Sequence, residues 1–388
     1  MSLTQDLERI LETVLPIDPS FRAIDPALID SCIRDTRQHA IEGSKEAFLL
    51  SAMRLMALPD NGHTRLIPND AISVLPLRFV SIGTAVHLMG TAPETRGEVI
   101  AVNGAPVGQI EAAATSFLAG TPQRKRVIGP ILLAWPYALA RLGVYSKDGM
   151  TAYRVRTAAG QIADIKVEHT TTVPASTLYS RNEHGKADPA WTPESFVEIE
   201  DWPGLGLSIV LPSFFDPGET ALPNAISDAA ERVRACAHKP LLIDVRGNTG
   251  GDFLKTMPMI DAISENANSQ VAVLVDKFTF SAALVFVAIL KHRLGRRLTL
   301  IGEEMGDALT FYAEGDVLDL PTSGAVVRYS TAFHDWATGT TDETTPAEIA
   351  RHVVAAGALD VECDWTVDPA DEDAQRAFYQ RVLTRLNG

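Results

Sequence analysis

The first 58 residues set apolar side chains at helical spacing: Leu7, Ile10, Leu11 and Val14 fall at i, i+3, i+4 and i+7. "SKEAFLLSAMRLMAL" at 44–58 predicts a further helix, opened by a Ser44 cap and closed by the turn in "PDNGH". From about residue 66 to 170 the period shortens toward two. "AVHLMG", "GEVIAVNGAPV" and "TAYRVRTAAGQIADIKVEHT" alternate apolar and polar residues between Gly, Asn and Pro, which predicts short strands and turns. Residues 97–113 read as a strand, a tight Asn-Gly turn and a short helix beginning near Val107. The polar stretch 171–200 has no period and reads as a linker or long surface loop.

After residue 204 the pattern becomes strand then helix, repeated. The apolar runs "LGLSIVLPSF", "PLLIDVRG", "QVAVLVD" and "LTLIGEE" are separated by "ALPNAISDAAERVRACAH", "DFLKTMPMIDAISENA" and "SAALVFVAILKHRL". Near-continuous apolar strands between amphipathic helices predict an α/β core around a buried, largely parallel sheet. The helix at 281–292 is apolar almost all round and is predicted to be buried. The expected organisation is a helical N-terminal unit over 1–65 and a β-rich domain over 66–170. A linker or surface loop over 171–203 then leads to an α/β core with a C-terminal helix over 204–388.

Composition narrows the partners. The 388 residues are 46% hydrophobic and 21% charged, as in ordinary globular proteins, and the net charge is -15. Lys and Arg form no stripe, and "KHRLGRR" at 291–297 trails an apolar helix and reads as a solvated helix end. Nucleic acid and anionic membrane are therefore not expected as partners. Cys32, Cys236 and Cys363 are far apart and form no CxxC pair, so neither a disulfide framework nor a zinc site is expected. The N-terminus carries acidic residues where a signal peptide would be basic, and no apolar run reaches the roughly 18 residues of a membrane span. As it stands the sequence suits a cytoplasmic protein, or a periplasmic or secreted one from which an export signal has been removed. The sequence leaves the oligomeric state open.

Three stretches could hold chemistry. In "VLVDKFTFSAALVFVAIL", Ser281 falls at a strand-to-helix transition, where open α/β sheets place ligands. Free backbone N–H groups such as that of Ala282 would lie beside its hydroxyl, though Ser281 also reads as a plain N-cap. In "LPDNGHTRL", His63 follows a Gly turn between a helix and a strand, where a lone histidine is usually a surface residue or a local hydrogen-bonder. In "DVRGNTGG", at 244–251, the N–H groups of Gly250 and Gly251 could converge on a developing negative charge. Such preorganised donors contribute ~3 kcal/mol in an oxyanion hole. The same glycines could simply turn the chain, with Arg246 pairing to Asp244. The stretch matches neither GxxxxGK[ST] nor GxGxxG, and Asp252 would oppose a phosphate.

Together these stretches resemble the C-terminal-processing (tail-specific) serine protease family, which includes the tricorn protease core and interphotoreceptor retinoid-binding protein. "LLIDVRGNTGG" is similar to that family's strand and glycine turn, "VDKFTFSAALVF" to its nucleophile segment and "LPDNGHTRL" to its histidine loop. "GLGLSIVLPSFF" resembles the strand that opens the catalytic core, and the run from Ile301 to Trp336 resembles the segment downstream of the nucleophile. "EVIAVNGAPV" resembles a PDZ-like strand and turn. The matches occur in order over residues 58 to 336.

The resemblance implies a ClpP/crotonase-like catalytic core with a helical N-terminal unit and a PDZ-like middle domain. It implies a serine peptidase acting on peptide or unfolded protein through an acyl-enzyme, with no cofactor or metal. Carried over, Ser281 is the nucleophile, His63 the general base, and the N–H groups of Gly250 and Ala282 the oxyanion hole, with Gly251 adjoining. Imidazole titrates near neutral pH and suits the removal of a serine proton. Two positions depart from the family's pattern. Asp307 stands where one branch has a catalytic lysine, which disfavours a Ser–Lys mechanism, and Gly62 stands where another branch orients its histidine through a serine. Glu303, Asp307 and, more weakly, Glu362 are the candidates for a third catalytic member. The alternatives are a catalytically lapsed member that binds peptides or apolar ligands, and crotonase-like acyl-CoA chemistry.

Overall fold

In the computed structural model, which describes residues 2–68, 70–89, 96–179, 195–236, 238–266, 269–362 and 372–388, the chain divides into two compact units. The first comprises Met1–Ser180 with Phe311–Phe333, the second Arg181–Thr310 with His334–Gly388. Cys363 and residues 180–194 of the expected linker lie outside the described residues.

In the first unit the N-terminal stripe forms helix Leu3–Arg9, opened by a reciprocal capping box between Ser2 and Gln5. It continues through a wide turn at Ile10–Val14, and Leu7, Ile10 and Val14 are buried. Helices Pro26–Ile41 and Lys45–Ala57 follow, the second burying Phe48, Leu49, Leu55 and Met56. Strands Arg78–Ile82, Ala85–Met89, Gly97–Val102, Met150–Thr157 and Ile162–Glu168 make an antiparallel sheet in that order. The Asn-Gly turn is a two-residue hairpin, with φ of 48° at Asn103 and 84° at Gly104. Asn103 fixes it by accepting the Ala152 N–H through its side chain at 2.7 Å.

Three short helices, Pro122–Ile128, Ile131–Ala134 and Pro136–Arg141, interrupt the region expected to hold strands and turns. Ile131 to Ala134 are all buried, and a fully buried apolar run of four shows no period that separates helix from strand. In a second, three-stranded sheet, Ala325–Arg328 pairs antiparallel with both Arg65–Ile67 and Val317–Leu320. That pairing ties the late segment Phe311–Phe333 to the strand that follows His63.

The second unit is built on six strands in chain order: Glu198–Trp202, Gly206–Val210, Leu241–Asp244, Val271–Val275, Leu298–Gly302 and Val361–Glu362. The first pair is antiparallel and the remaining pairs are parallel. Strand Glu198–Trp202 thus falls inside the stretch expected as linker, where Trp202 is buried and its indole N–H donates to Ser208. Parallel neighbours cannot be joined by a tight turn and need crossover connections. Helices Ala221–Ala235, Met257–Glu265 and Ala282–Leu294 are those connections. The C-terminal helix Glu372–Leu386 packs Phe378, Tyr379, Val382 and Leu383 with Leu242, Ala272, Leu274 and Ile301. Helix Ala282–Leu294 buries ten of its residues, so it is set in the core without a polar face.

Candidate active site

The chemistry-bearing positions of the second unit meet where parallel strands Leu241–Asp244 and Val271–Val275 end. After Val275 the chain turns through Asp276–Phe280 and enters the buried helix at Ser281, which has φ 56° and ψ −126°. A residue with a Cβ avoids this region unless its surroundings enforce it. They do so here: the Ser281 N–H donates to Asp307 Oδ2 at 3.1 Å, while the Ser281 carbonyl accepts the Val285 N–H at 3.0 Å. The other Asp307 oxygen accepts the Ala308 N–H at 3.1 Å. Asp307 is thus placed on the backbone of Ser281. The Ser281 hydroxyl makes no hydrogen bond among the described residues, and the side chain is half-buried.

Gly250 lies directly against this turn. A Cβ on it would sit 2.8 Å from Ser281 Cβ, 2.9 Å from the Phe280 carbonyl oxygen and 3.2 Å from the Ala282 nitrogen. Its φ of +103° also requires glycine. Gly251 forms a parallel bridge to Phe214, in which Phe214 N–H donates to the Gly250 carbonyl and Asp252 N–H to the Phe214 carbonyl. A Cβ on Gly251 would fall 2.0 Å from the Phe214 carbonyl. The two glycines are therefore dictated by close backbone approach.

Their N–H groups differ. The Gly250 N–H donates to Asn248 Oδ1 at 2.9 Å, so it is engaged inside the turn. The N–H groups of Gly251 and Ala282 donate no hydrogen bond among the described residues. Ala282 opens a thirteen-residue helix, whose N-terminal end favours negative charge. Asn248, fully buried, also donates its amide to the Leu211 carbonyl at 2.9 Å and accepts the Phe280 N–H on its own carbonyl at 3.1 Å.

Below the turn, Asp244 and Arg246 form a bidentate pair, with Arg246 Nη2 2.5 Å from Asp244 Oδ2. Tyr379 donates its hydroxyl to the same carboxylate. Burial pushes the Tyr379 phenol up, and the neighbouring Asp244 charge adds to the shift. This cluster fastens the C-terminal helix to the glycine turn. Glu303 is salt-bridged to the buried Lys277 at 3.3 Å, and Glu362 pairs with Arg385 at 2.7 Å.

His63 belongs to the first unit. Its ring stacks on Phe311, with centroids 5.2 Å apart and planes 16° from parallel. Its loop is held by a buried polar network that residue types alone do not signal. Asp18 accepts Thr64 Oγ1 at 2.6 Å, the Ser330 N–H at 2.9 Å, and both the N–H and hydroxyl of Ser20. Asn61 donates its amide to Thr64, Ser330 and the Tyr312 carbonyl, each at 3.0 Å. Gly120 approaches the Gly62 Cα so closely that a Cβ on Gly120 would lie 2.9 Å from it. The structure thus assembles Ser281, Ala282, Gly250, Gly251 and Asp307 in one unit and places His63 in the other.

Residue types alone assign no role to Asn248, Asp276, Thr279, Asp18 and Asn61. A signal exists for the first three: Asn two residues before a glycine, and Asp three before a threonine, are side-chain-to-backbone turn patterns. Asp18 has a local signal as the cap before Pro19 and Ser20, but its ties to Thr64 and Ser330, 46 and 312 residues away, have none. Among the described residues no group of three or more His, Cys, Asp or Glu is placed to hold a metal ion. Among them, too, no helix is long and apolar enough to cross a membrane.

By sequence, the chain matches no family model and no curated protein. By structure, it is similar to mature CPAF complexed with lactacystin, with a TM-score of 0.55 at 13% identity over 99% of each chain. A CPAF point mutant gives a TM-score of 0.55 at 13% identity, over 99% of this chain and 96% of that one. The photosystem II D1 C-terminal processing protease aligns more loosely, with a TM-score of 0.41 at 15% identity over 98% of this chain and 96% of that one. The chain has the mixed α/β fold of CPAF over nearly its whole length.

Proposed function

We propose that this chain is a serine peptidase of the C-terminal-processing type that cleaves peptide bonds through an acyl-enzyme on Ser281. The observation that supports it most is the strained turn at Ser281, held by Asp307 and packed on Gly250, with the Ala282 N–H beside it. A strained strand-to-helix turn that presents a serine at a helix N-terminus is a nucleophile elbow.

In this reading Ser281 Oγ attacks the scissile carbonyl carbon and His63 takes its proton. The negative charge that develops on the carbonyl oxygen is met by the N–H groups of Gly251 and Ala282. The intermediate collapses as His63 protonates the leaving amine, and water then hydrolyses the ester by the same steps. Gly250 contributes its small size, since its N–H serves Asn248. Asp307 acts on the nucleophile's backbone, Glu303 is occupied by Lys277, and neither is assigned to His63. Acyl transfer of this kind uses no cofactor. We read the core as ClpP/crotonase-like and the sheet over 78–168 as a PDZ-like element that receives peptide, so the substrate is an extended peptide or unfolded chain.

The test is hydrolysis of a chemically unfolded protein, followed by chromatography of the fragments. Wild type should release new termini, and Ser281→Ala and His63→Ala should each lose at least about 10³-fold in rate. Folded wild-type protein that binds unfolded chains without cutting them would favour a binding protein instead.

A further inference from the structure

The chain carries a second carboxylate in this region whose partners join two turns. Asp276 leaves the end of strand Val271–Val275 and accepts the Gly247 N–H from the glycine turn, at 3.1 Å to each oxygen. Its Oδ1 also accepts the Phe278 N–H at 2.9 Å and the Thr279 N–H at 3.0 Å, both in the approach to Ser281. Thr279 answers from the other side. Its hydroxyl donates to the Val245 carbonyl at 3.1 Å and accepts the Asp276 N–H at 3.0 Å. With the bond from Phe280 N–H to the Asn248 carbonyl, three ties hold residues 245–248 against residues 276–280.

We propose that Asp276 is a positioning residue: its carboxylate staples the oxyanion turn to the nucleophile turn and so fixes the Gly251 and Ala282 N–H groups relative to Ser281. The inference rests on the peptidase reading above. Misplacement of catalytic groups by about 1 Å lowers rates by about 10²-fold, so a staple between these two turns acts on turnover.

The charge on Asp276 is kept against its surroundings. Burial pushes its carboxyl up to about 6; the Gly247 N–H bond lowers it, the nearby Asp244 carboxylate raises it, and the Phe278 N–H bond and Arg246 lower it. The charged groups acting on it are Asp244 and Arg246 from the strand and glycine turn, and Tyr379 of the C-terminal helix bonds to Asp244. Lys277, on its own segment, pairs with Glu303. A carboxyl whose folded-state value exceeds its unfolded one takes up a proton on folding. Its ionised form therefore stabilises the fold less than its neutral form, and stability from this group falls as pH rises from about 4 to about 6. A residue kept only for stability would gain by being neutral. Asp276→Asn keeps Oδ1 for Phe278, Thr279 and Gly247 but replaces the second acceptor of the Gly247 N–H with an amide donor and removes the charge, so it weakens the arm to the glycine turn.

The experiment measures the rate constant for labelling of Ser281 by a fluorophosphonate against pH, with thermal melting, for wild type, Asp276→Asn and Thr279→Val. At pH 8, Asp276→Asn should label about 10-fold or more slowly than wild type while melting no lower. The wild-type rate should fall as pH drops through about 6, where Asp276 takes up its proton, and the Asp276→Asn profile should lack that component. Thr279→Val, which cuts the opposite arm, should also label slowly and carries the test if Asp276→Asn does not fold. Variants that label at the wild-type rate overturn the staple, as does a slowing that merely follows a fall in melting temperature. Wild type that does not label at all overturns the peptidase reading and the staple with it.

Discussion

Gly250→Ala puts one methyl group between the two halves of the proposed site. The new Cβ would stand 2.8 Å from Ser281 Cβ and 2.9 Å from the Phe280 carbonyl oxygen, where carbon atoms ordinarily stay about 3.5–4.0 Å apart. Neither neighbour is the end of a flexible chain, since both are fixed by backbone. The residue must also hold φ +103°, which an L side chain rarely adopts. Backbone strain and overpacking together cost about 2–4 kcal/mol. At about 2–4 °C per kcal/mol for a unit of this size, melting should fall by roughly 5–15 °C. Relief of the overlap has to move Ser281 by a sizeable fraction of an ångström, so fluorophosphonate labelling should slow by about 10–100-fold. Gly247→Ala is the control: φ there is +73° and no atom lies within 4 Å of the added Cβ. It carries strain alone, about 1 kcal/mol, and should label within a few-fold of wild type. If Gly250→Ala melts and labels like Gly247→Ala, the close packing of the glycine turn on Ser281 is not what shapes the site.

Other perturbations separate the supports of the site. Asp307→Ala removes the acceptor for the Ser281 N–H and should destabilise by about 1.5–3 kcal/mol in melting experiments, with slower labelling of Ser281. Asp18→Ala leaves Thr64, Ser20 and the Ser330 N–H without their buried acceptor; denaturant titration should show about 3 kcal/mol or more lost from the unit that holds His63. Tyr379→Phe removes one hydrogen bond to Asp244 and should cost about 1–2 kcal/mol, read as faster amide exchange in the C-terminal helix.

Much of the core was legible because its signals are local. Each apolar run after residue 204 contains a strand, and the all-apolar stretch after Ser281 is a buried helix, since a residue run without polar positions has no face to show to water. The Asn103–Gly104 hairpin was legible for a similar reason, as few residues accept two positive φ angles in succession. The helices between Pro122 and Arg141 were not, because their buried runs are too short for a period. At the site, residue types and order pointed to Ser281, Gly250 and Gly251. They could not show that Asn248 takes the Gly250 N–H, or that Asp307 faces the serine's backbone, because both depend on which atoms the folded turns bring together. The support of the His63 loop was out of reach of any window, since Asp18, Thr64 and Ser330 meet across most of the chain.

The central claim is that Ser281 is a nucleophile, and mass spectrometry after fluorophosphonate treatment tests it most directly. The intact protein should gain the mass of one phosphonyl group, located on the peptide that contains Ser281, and Ser281→Ala should gain none. Folded wild type that gains no mass, or a Ser281→Ala variant labelled to the same extent, would contradict the account.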